Sequence, residues 1–365
     1  MSMPDEPARG TRLETRELKF FEAIHEAIDL CLAGDSSVYI MGLGVPDPKG
    51  LFGTTLGLQE KYGPARVFDI PTSENGLTGV AIGSALVGMR PIMTHQRIDF
   101  ALLALEQIVN QAANWHYTFG GKMTVPLVIR MIIGRGWGQG PQHSQSLQAW
   151  FAHVPGLKVV MPATPYDAKG LLISSIEENN PVIFIEHRWL YNVQGGVPAG
   201  RYRVPLGEAR VARQGEDLTI VATSHMTLEA LRAAEMLGEN GIEAEVIDVR
   251  TLRPLDEPLI LRSVARTGRL LVADTGWKTL GFGAEVVARV AEELSGSLKS
   301  APRRVARPDC PTPTTAALAK HCYPRAFDIA VAAQRMMGHK VGEPIRREPD
   351  SGPLDVPDES FRGPF

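Results

Sequence analysis

Apolar residues recur along this chain at two alternating spacings. Between Thr15 and Leu32 they fall three and four residues apart and Gly34 follows, which predicts an amphipathic helix that ends at this glycine. The next apolar run, residues 37–41, is short and rich in strand-forming side chains, and it closes at Gly42. Such a run predicts a buried strand.

The same alternation continues through the first half of the chain. Continuous apolar strands that are separated by helices are typical of a parallel sheet covered on both faces. The patterns predict strands at 67–70, 91–94, 125–130, 157–161 and 182–186, and helices at 76–88, 100–116 and 166–178.

Residues 188–210 are rich in glycine and proline, which predicts a linker between two domains. A new alternation follows, and a chain of 365 residues exceeds the usual size of a single core. We therefore expect two α/β domains, at 15–195 and 206–340, and a flexible tail at 342–365 unless a partner holds it. The second domain is predicted to contain strands at 218–222, 244–249 and 270–273, and helices at 227–237, 259–265 and 283–294.

Composition narrows the function classes. The chain is 44% apolar and 22% charged, as folded proteins are, and its net charge of -3 argues against a role in binding nucleic acid or anionic membranes. Its three cysteines form no CxxC pair, which excludes a disulfide framework and a four-thiolate zinc site. Without an 18-residue apolar run or a hydrophobic signal core, the chain is expected to be cytoplasmic.

Several common catalytic motifs are missing from the sequence. The dinucleotide fingerprint G-x-G-x-x-G does not occur, and the glycines at 134, 136, 138 and 140 have the wrong spacing for it. Neither the P-loop motif, nor H-E-x-x-H, nor G-x-S-x-G is present. These absences disfavour NAD or ATP as the primary cofactor, catalytic zinc, and serine hydrolase chemistry.

Two unusual segments follow predicted strands, where open α/β sheets bind their ligands. In residues 71–76, Glu74 is either a first-turn acid that faces the helix dipole beside a Thr72 or Ser73 cap, or a functional carboxylate. After the glycine-rich run, His143 is either an exposed loop residue or a group whose charge changes near neutral pH.

In the order of several short sequence motifs, this chain resembles the β subunit of thiamine-diphosphate-dependent 2-oxo acid dehydrogenases. These are the E1 components of pyruvate, branched-chain 2-oxo acid and acetoin dehydrogenases. The resemblance covers about residues 17–335. It rests on Ser73-Glu74-x-Gly76, Gly88-Met89-Arg90-Pro91, Gln142-His143-Ser144-Gln145, Pro155-Gly156-Leu157-Lys158-Val159-Val160, Asp167-Ala168-Lys169-Gly170-Leu171-Leu172, Asn180-Pro181, Val249-Arg250-Thr251-Leu252-Arg253-Pro254-Leu255-Asp256, and Gly276-Trp277 with Gly281-x-Gly283-Ala284-Glu285.

This resemblance implies a pyrimidine-binding domain followed by a transketolase C-terminal-like domain. It implies an enzyme that decarboxylates a 2-oxo acid, or cleaves acetoin, and passes the acyl unit to a lipoyl carrier. Glu74 matches the acid that hydrogen-bonds N1′ of the cofactor's aminopyrimidine and favours the reactive imino form. His143 matches the histidine that donates protons at the channel mouth. Phe100, with Gln96 nearby, matches cofactor-binding positions, although core packing of Phe100 would look identical.

The resemblance also implies partners and ions. Thiamine enzymes that bind the diphosphate in one chain carry Gly-Asp-Gly before Asn-Asn, and this chain has Asn-Asn at 179–180 without the preceding motif. Mg²⁺ is therefore expected on a separate α subunit, in an α2β2 assembly with a β-β contact and a lipoyl-bearing E2 partner. A structural K⁺ held by main-chain carbonyls, or alternatively a plain helix end, is implied at Leu127, Ser175, Glu178 and Asn180.

One segment departs from the family. Relatives are usually apolar after the Arg-Pro strand, where this chain has His95-Gln96-Arg97. We hypothesise that His95 or Arg97 contacts a polar or anionic substrate, unless Arg97 pairs with Asp99 or Glu106. The alternatives in function are a split transketolase-like or acyloin-forming transferase, and a noncatalytic subunit of the same fold.

Overall fold

The structure is a computed structural model that describes residues 15–136 and 138–338. In its first half the strands are β1 (Thr15–Lys19), β2 (Val38–Gly42), β3 (Val67–Phe68), β4 (Arg90–His95), β5 (Val128–Ile133), β6 (Lys158–Val160), β7 (Val182–His187) and β8 (Gln194–Pro198). The helices are α1 (Phe20–Gly34), α2 (Leu58–Tyr62), α3 (Glu74–Leu86), α4 (Ile98–Ala101), α5 (Ala113–Thr118), α6 (Gln148–His153) and α7 (Pro165–Glu177). Between α4 and α5 the helical path runs through a 3-10 turn (Leu102–Ala104) and a π-helix (Glu106–Ala112).

The second half repeats the alternation of strands and helices. Its strands are β9 (Arg210–Arg213), β10 (Leu218–Ala222), β11 (Ala244–Asp248), β12 (Thr251–Arg253), β13 (Leu270–Trp277) and β14 (Arg303–Arg307). Its helices are α8 (His225–Gly238), α9 (Glu257–Thr267), α10 (Phe282–Leu294), α11 (Ala316–Ala319) and α12 (Ala326–Met337).

Two larger sheets organise the molecule. The first has the order β12-β6-β7-β5-β4-β2-β3, and the second has the order β14-β13-β10-β11-β9. All their pairings are parallel except β12 with β6 and β9 with β11, which lie at sheet edges. The predicted α/β class with parallel sheets is confirmed, and the antiparallel edge strands are an addition that the apolar pattern did not reveal.

The first sheet is covered on both faces, as a parallel sheet requires. On one face α1 packs against α7, and apolar residues such as Ile24 and Leu171 fill the space below them. On the other face Ile98, Ala104 and Ile108 cover the strands. Side chains that alternate along β5 therefore enter different clusters: Ile129 lies in one and Val128 in the other.

The prediction of a helix from Thr15 is wrong at its start. Residues Thr15–Lys19 form β1, which pairs antiparallel with β8, so that Thr15 lies opposite Pro198. The predicted linker at 188–210 therefore contains a strand. This outcome has a physical reason: Leu18 is the single apolar residue of β1, so the helical repeat of buried side chains begins only at Phe20.

A buried ion pair joins the two halves of the chain. Asp167, in the first turn of α7, accepts a hydrogen bond of 3.0 Å from Arg250, which directly precedes β12. The same guanidinium donates to the carbonyls of Glu208 and Ala209. Nearby Asp248 is fully buried, and this burial, together with the charge of Asp167, raises its pKa to about 6. The domain boundaries remain a prediction, and the tail expected at 342–365 lies outside the described residues.

Replacing Arg250 with methionine should destabilise the protein by about 3 kcal/mol, because it leaves the buried Asp167 carboxylate with a weaker partner at 3.6 Å, Arg210. Urea denaturation measures the loss. The matched control is Arg289→Met, whose side chain is 42% exposed and pairs with Glu257 and Glu285. That variant should lose less than about 1 kcal/mol. Equal losses would contradict the buried pair's role.

Candidate active site

Several of the predicted site residues lie at one edge of the first sheet. Strands β2, β3, β4, β5 and β7 are mutually parallel, so their carboxyl ends lie together. Glu74 begins α3 after β3, Gln96 directly follows β4, and Gly134 directly follows β5. This is the edge where open α/β sheets bind their ligands.

A small cavity lies at this edge, with a volume of about 20 Å³. Six of its lining residues are Leu43, Thr72, Glu74, His95, Gln96 and Phe100. The structure thus brings Glu74 together with three of the other predicted residues. The described residues leave this cavity room for about one water molecule. An aromatic ring of a ligand would therefore need a larger site, part of whose surface comes from outside the described residues.

Glu74 is placed by the start of α3. Ser73 occupies the N-cap position without a side-chain capping bond, and Glu74 is the acid in the first turn. The partly exposed carboxylate lies near the positive end of the helix dipole. Both original interpretations of Glu74 therefore describe the same geometry, since a first-turn acid also lines the cavity.

Gln96 is held by the backbone of the neighbouring strand's loop. Its side-chain amide donates to the carbonyl of Leu43, which follows β2, at 2.9 Å. In the same loop the backbone N–H of Gly44 donates to Asp69 at 2.9 Å. These bonds fix the distance between the loops that follow β2, β3 and β4, and so they shape the cavity.

Phe100 connects the cavity to His143. The two rings pack edge to face, with centroids 5.2 Å apart and planes at 87°. Phe100 lies in α4 and His143 ends a 3-10 turn (Pro141–His143), so two separate segments meet here. The contact makes Phe100 a shared wall between the cavity of Glu74 and the loop of His143.

The glycine-rich loop that leads to His143 is fastened by arginines. Arg97, which is only 3% exposed, donates to the carbonyl of Gly134 and to the side chain of Gln139. Gly134 itself has φ +88, and a Cβ at this position would lie 2.8 Å from the ring of His187. Only glycine fits both constraints at the start of the loop.

Two further arginines hold the same loop. Arg135 donates to the carbonyls of Gln139 and Thr314, and Arg307 donates to the carbonyl of Ser144 and to Thr312. The loop is therefore tied to the segment that follows β14.

These guanidinium groups place positive charge inside the protein. Burial lowers the pKa of Arg97 to about 10 and that of Arg188 to about 9, and Arg97 contributes to the second shift. Asp99 opposes the shift of Arg97 electrostatically, while its own Oδ1 accepts a 3.3 Å bond from the N–H of Gln145. Arg97 therefore interacts with Asp99 through charge attraction. The hydrogen bonds of Arg97 go to the loop instead.

His95 lies deeper than Gln96 and is 3% exposed. Its Nε2 contacts Thr78 Oγ1 at 3.4 Å, and burial lowers the pKa of His95 to about 4. The ring is therefore neutral near pH 7 and lines the cavity as a polar but uncharged group.

In the segment expected to hold K⁺, carbonyl groups already accept hydrogen bonds from a positively charged side chain. Arg90 donates to the carbonyls of Ile176 and Glu178, each at 3.1 Å, and to the side chain of Asn179. Of the expected carbonyls, that of Leu127 accepts from the N–H of Val182, and that of Ser175 accepts from the N–H of Glu178. The buried Oδ1 of Asn180 has no hydrogen-bond partner. Potassium at this segment stays a prediction.

The sequence interpretation missed Arg135, Arg188 and Arg307. A signal was available for Arg188, because a charged residue follows the wholly apolar start of β7 at the carboxyl edge of the sheet. For Arg307, no local pattern indicates that it reaches Ser144, since the contact joins residues far apart in the chain.

The described residues contain neither a metal-binding cluster nor a membrane-spanning helix. Among residues 15–136 and 138–338, no group of three or more His, Cys, Asp or Glu side chains is placed to hold a metal ion. No helix in this part of the chain has the length and apolar character needed to cross a membrane.

Comparisons with known proteins agree with this architecture. Residues 16–194 match the family model of the transketolase pyrimidine binding domain, and residues 207–329 match that of the transketolase C-terminal domain. The acetoin:2,6-dichlorophenolindophenol oxidoreductase subunit beta of Cupriavidus necator is 45% identical, over 88% of this chain and 98% of the relative. This chain belongs to the family of E1 β subunits.

Other members of the E1 β family are nearly as similar. The mitochondrial pyruvate dehydrogenase E1 component subunit beta-2 of Oryza sativa subsp. japonica is 40% identical, over 90% of this chain and 88% of the relative. Among solved structures, a split gene transketolase described as an inactive beta4 tetramer has a TM-score of 0.73 at 25% identity, covering 88% of this chain and 98% of that one. The resemblance inferred from the sequence is confirmed.

The pH dependence of stability should report on His95 in this E1 β chain. Its contribution is complete above pH 6.5 and is lost as the pH falls toward 4, because the unfolded chain then binds a proton that the folded chain rejects. His95→Gln should reduce the slope of unfolding free energy against pH in that window by up to about 1.4 kcal/mol per pH unit.

Urea denaturation at several pH values measures this slope. The control is His321→Gln, which replaces an exposed histidine and should leave the slope unchanged. An unaltered slope in His95→Gln would show that His95 is not a buried neutral ring.

Proposed function

We propose that this chain is the β subunit of a thiamine-diphosphate-dependent 2-oxo acid dehydrogenase E1 component. It would take part in decarboxylating a 2-oxo acid, or cleaving acetoin, and in transferring the acyl unit to a lipoyl carrier. The observation that carries the proposal is the convergence of Glu74, Gln96 and Phe100 on one cavity, with His143 packed against Phe100. Membership of the E1 β family supports a functional role for this convergence.

Glu74 is assigned the acid that contacts the cofactor's aminopyrimidine. Thiamine diphosphate, when bound, supplies the reactive thiazolium carbon and an imino base. The chain's own part is to hold a proton between the Glu74 carboxyl group and a ring nitrogen. The position of Glu74 on a rigid helix, beside the fixed amide of Gln96, suits this task.

His143 is assigned the proton donor toward the substrate side. Its imidazole is partly exposed on the outer side of Phe100, and Phe100 offers the cavity an aromatic face. An imidazole ring has one nitrogen that can donate a proton and one that can accept it, which suits this role. The arginine-fastened loop would keep the ring at a fixed distance from the cofactor.

A second chain is proposed to complete the site. The cavity of about 20 Å³ is too small for the cofactor, and the sequence lacks Gly-Asp-Gly, so an α subunit would provide the opposite wall and hold Mg²⁺ with the diphosphate. The names of the relatives, which are subunits beta, support such a partner. We extend this to an α2β2 assembly with a β-β contact through the second domain, an E2 partner bearing lipoyl groups, and a cytoplasmic location. K⁺ at the Asn180 segment is retained as a further proposal.

The buried arginines beside the loop of His143 favour an anionic substrate. Acetoin is neutral, whereas 2-oxo acids carry a carboxylate, and buried guanidinium groups favour such an anion. Arg97 and Arg188 lie beside the loop of His143, and the neutral His95 lies at the cavity. We therefore propose a 2-oxo acid over acetoin, with Arg97 as the group that recognises its charge and His95 as a polar contact.

The structural similarity to a split transketolase favours one second candidate, a transferase that passes a ketol unit to an aldehyde or sugar acceptor. The two activities differ in their acceptor. Coexpression with an α chain that carries Gly-Asp-Gly, followed by parallel assays for lipoamide reduction and for ketol formation, distinguishes them. Ketol formation without lipoamide reduction would overturn the dehydrogenase assignment.

Glu74→Gln in the reconstituted α–β complex should lower kcat by about 100-fold or more, because the amide cannot exchange a proton with the ring nitrogen. Steady-state kinetics with saturating cofactor measures the loss. A matched control is Glu60→Gln, an exposed first-turn acid of α2, which should keep full activity. Undiminished activity in Glu74→Gln would favour the noncatalytic subunit.

Arg97→Met should raise the KM for anionic 2-oxo acids by about tenfold or more, because a hydrogen bond to a charged group contributes about 1.5–3 kcal/mol. The KM for neutral acetoin should change less. Arg203→Met, which replaces an arginine with a 64% exposed side chain, is the control. Unchanged KM values across 2-oxo acids would remove Arg97 from substrate recognition, and an equal loss of kcat for all substrates would leave it as a positioning residue for the loop.

A further inference from the structure

Two of the three cysteines lie side by side in the segment between β14 and α12. The Sγ atoms of Cys310 and Cys322 are 3.9 Å apart, although the residues are twelve positions apart in the chain. Both are free thiols. A disulfide brings its sulfur atoms to about 2.05 Å, so a movement of roughly 2 Å separates this arrangement from a covalent bond.

The surroundings allow that movement. Cys310 is exposed and lies in a bend outside helix and strand, whereas Cys322 is 4% exposed in the turn before α12. The remaining cysteine, Cys31, is fully buried in α1, and burial raises the pKa of its thiol to about 12. Cys31 is therefore unreactive and serves as an internal reference.

We propose that Cys310 and Cys322 form a reversible intramolecular disulfide on reaction with a small-molecule disulfide such as oxidised glutathione. Nothing in the catalytic assignment of Glu74 and His143 uses these thiols. The pair is thus a redox modification site that is separate from the cofactor cavity.

The exposed Cys310 attacks first. Its thiolate displaces one sulfur of the small disulfide, which forms a mixed disulfide and releases one small thiol. The thiolate of Cys322 then attacks Cys310 Sγ and releases the second small thiol. The two cysteines lose two electrons and two protons in total, and the small disulfide gains both. Burial raises the pKa of Cys322 and disfavours its thiolate, which leaves the first attack to the exposed Cys310. The 3.9 Å contact between the two sulfur atoms then places Cys322 within reach of the mixed disulfide.

The bond would restrain a segment that contacts the loop of His143. Between the two cysteines, Thr312 accepts a hydrogen bond from Arg307, and the carbonyl of Thr314 accepts one from Arg135. The same two arginines hold Ser144 and Gln139. Disulfide formation therefore alters the anchorage of the His143 loop. This consequence for turnover rests on the proposed function, whereas formation of the bond does not.

The bond is tested on the full-length chain without any activity assay. The reduced protein is incubated with oxidised glutathione, alkylated, and analysed intact and after digestion by mass spectrometry. We expect three free thiols before and one after, with a peptide that links Cys310 to Cys322 and disappears on addition of dithiothreitol. Cys310→Ser and Cys322→Ser should both abolish the linked peptide, and Cys31→Ser should retain it.

Three outcomes would overturn the site: three free thiols after oxidation, glutathione that remains attached to Cys310, or disulfides between chains.

The coupling of the disulfide to the active site is tested in the α–β complex, where oxidation should change kcat at least twofold in the wild type and not in Cys310→Ser. A linked peptide with unchanged kcat would reject the coupling while the disulfide stands. An inactive complex that still forms the linked peptide would locate the failure in the proposed function.

Discussion

The candidate active site depends on guanidinium groups that bind backbone carbonyls. The described residues of the glycine-rich loop before His143, 134–136 and 138–140, form no helix or strand, and glycine gives its backbone more freedom than any other residue does. Arg97, Arg135 and Arg307 replace that missing order by donating to the loop's acceptors at Gly134, Gln139 and Ser144. Each hydrogen bond from a charged donor contributes about 1.5–3 kcal/mol, which is enough to favour one conformation of the loop.

The side chains of this region also have altered pKa values. Burial lowers the pKa values of Arg97 and Arg188, and the charge of Arg97 adds to the shift of Arg188. The pKa of His187 falls well below its ordinary value because burial and its charged neighbours disfavour protonation. An anion entering this region would relieve the repulsion. The loop's anchorage and the proposed preference for an anionic substrate thus rest on one set of side chains.

The sequence predicted the order of most strands and helices because apolar periodicity reports burial directly. It also singled out Glu74 and His143 from local motifs at strand ends, and their roles stay predictions. It failed where contacts join distant residues: β1 was taken for helix because its partner β8 lies far along the chain, and Arg307 reaches Ser144 across the two halves. A substrate contact of Arg97 stays a hypothesis, and its hydrogen bonds to Gly134 and Gln139 could not be inferred from its neighbours in sequence.

Strand β12 has a consequence for how the two halves can evolve. It comes from the second half of the chain but forms the outer edge of the first sheet against β6. Severing the polypeptide near residue 200 would expose the backbone groups of β6, and open strand edges promote aggregation. Fission or shuffling of the two halves as independent modules is therefore penalised, although they form two separate sheets.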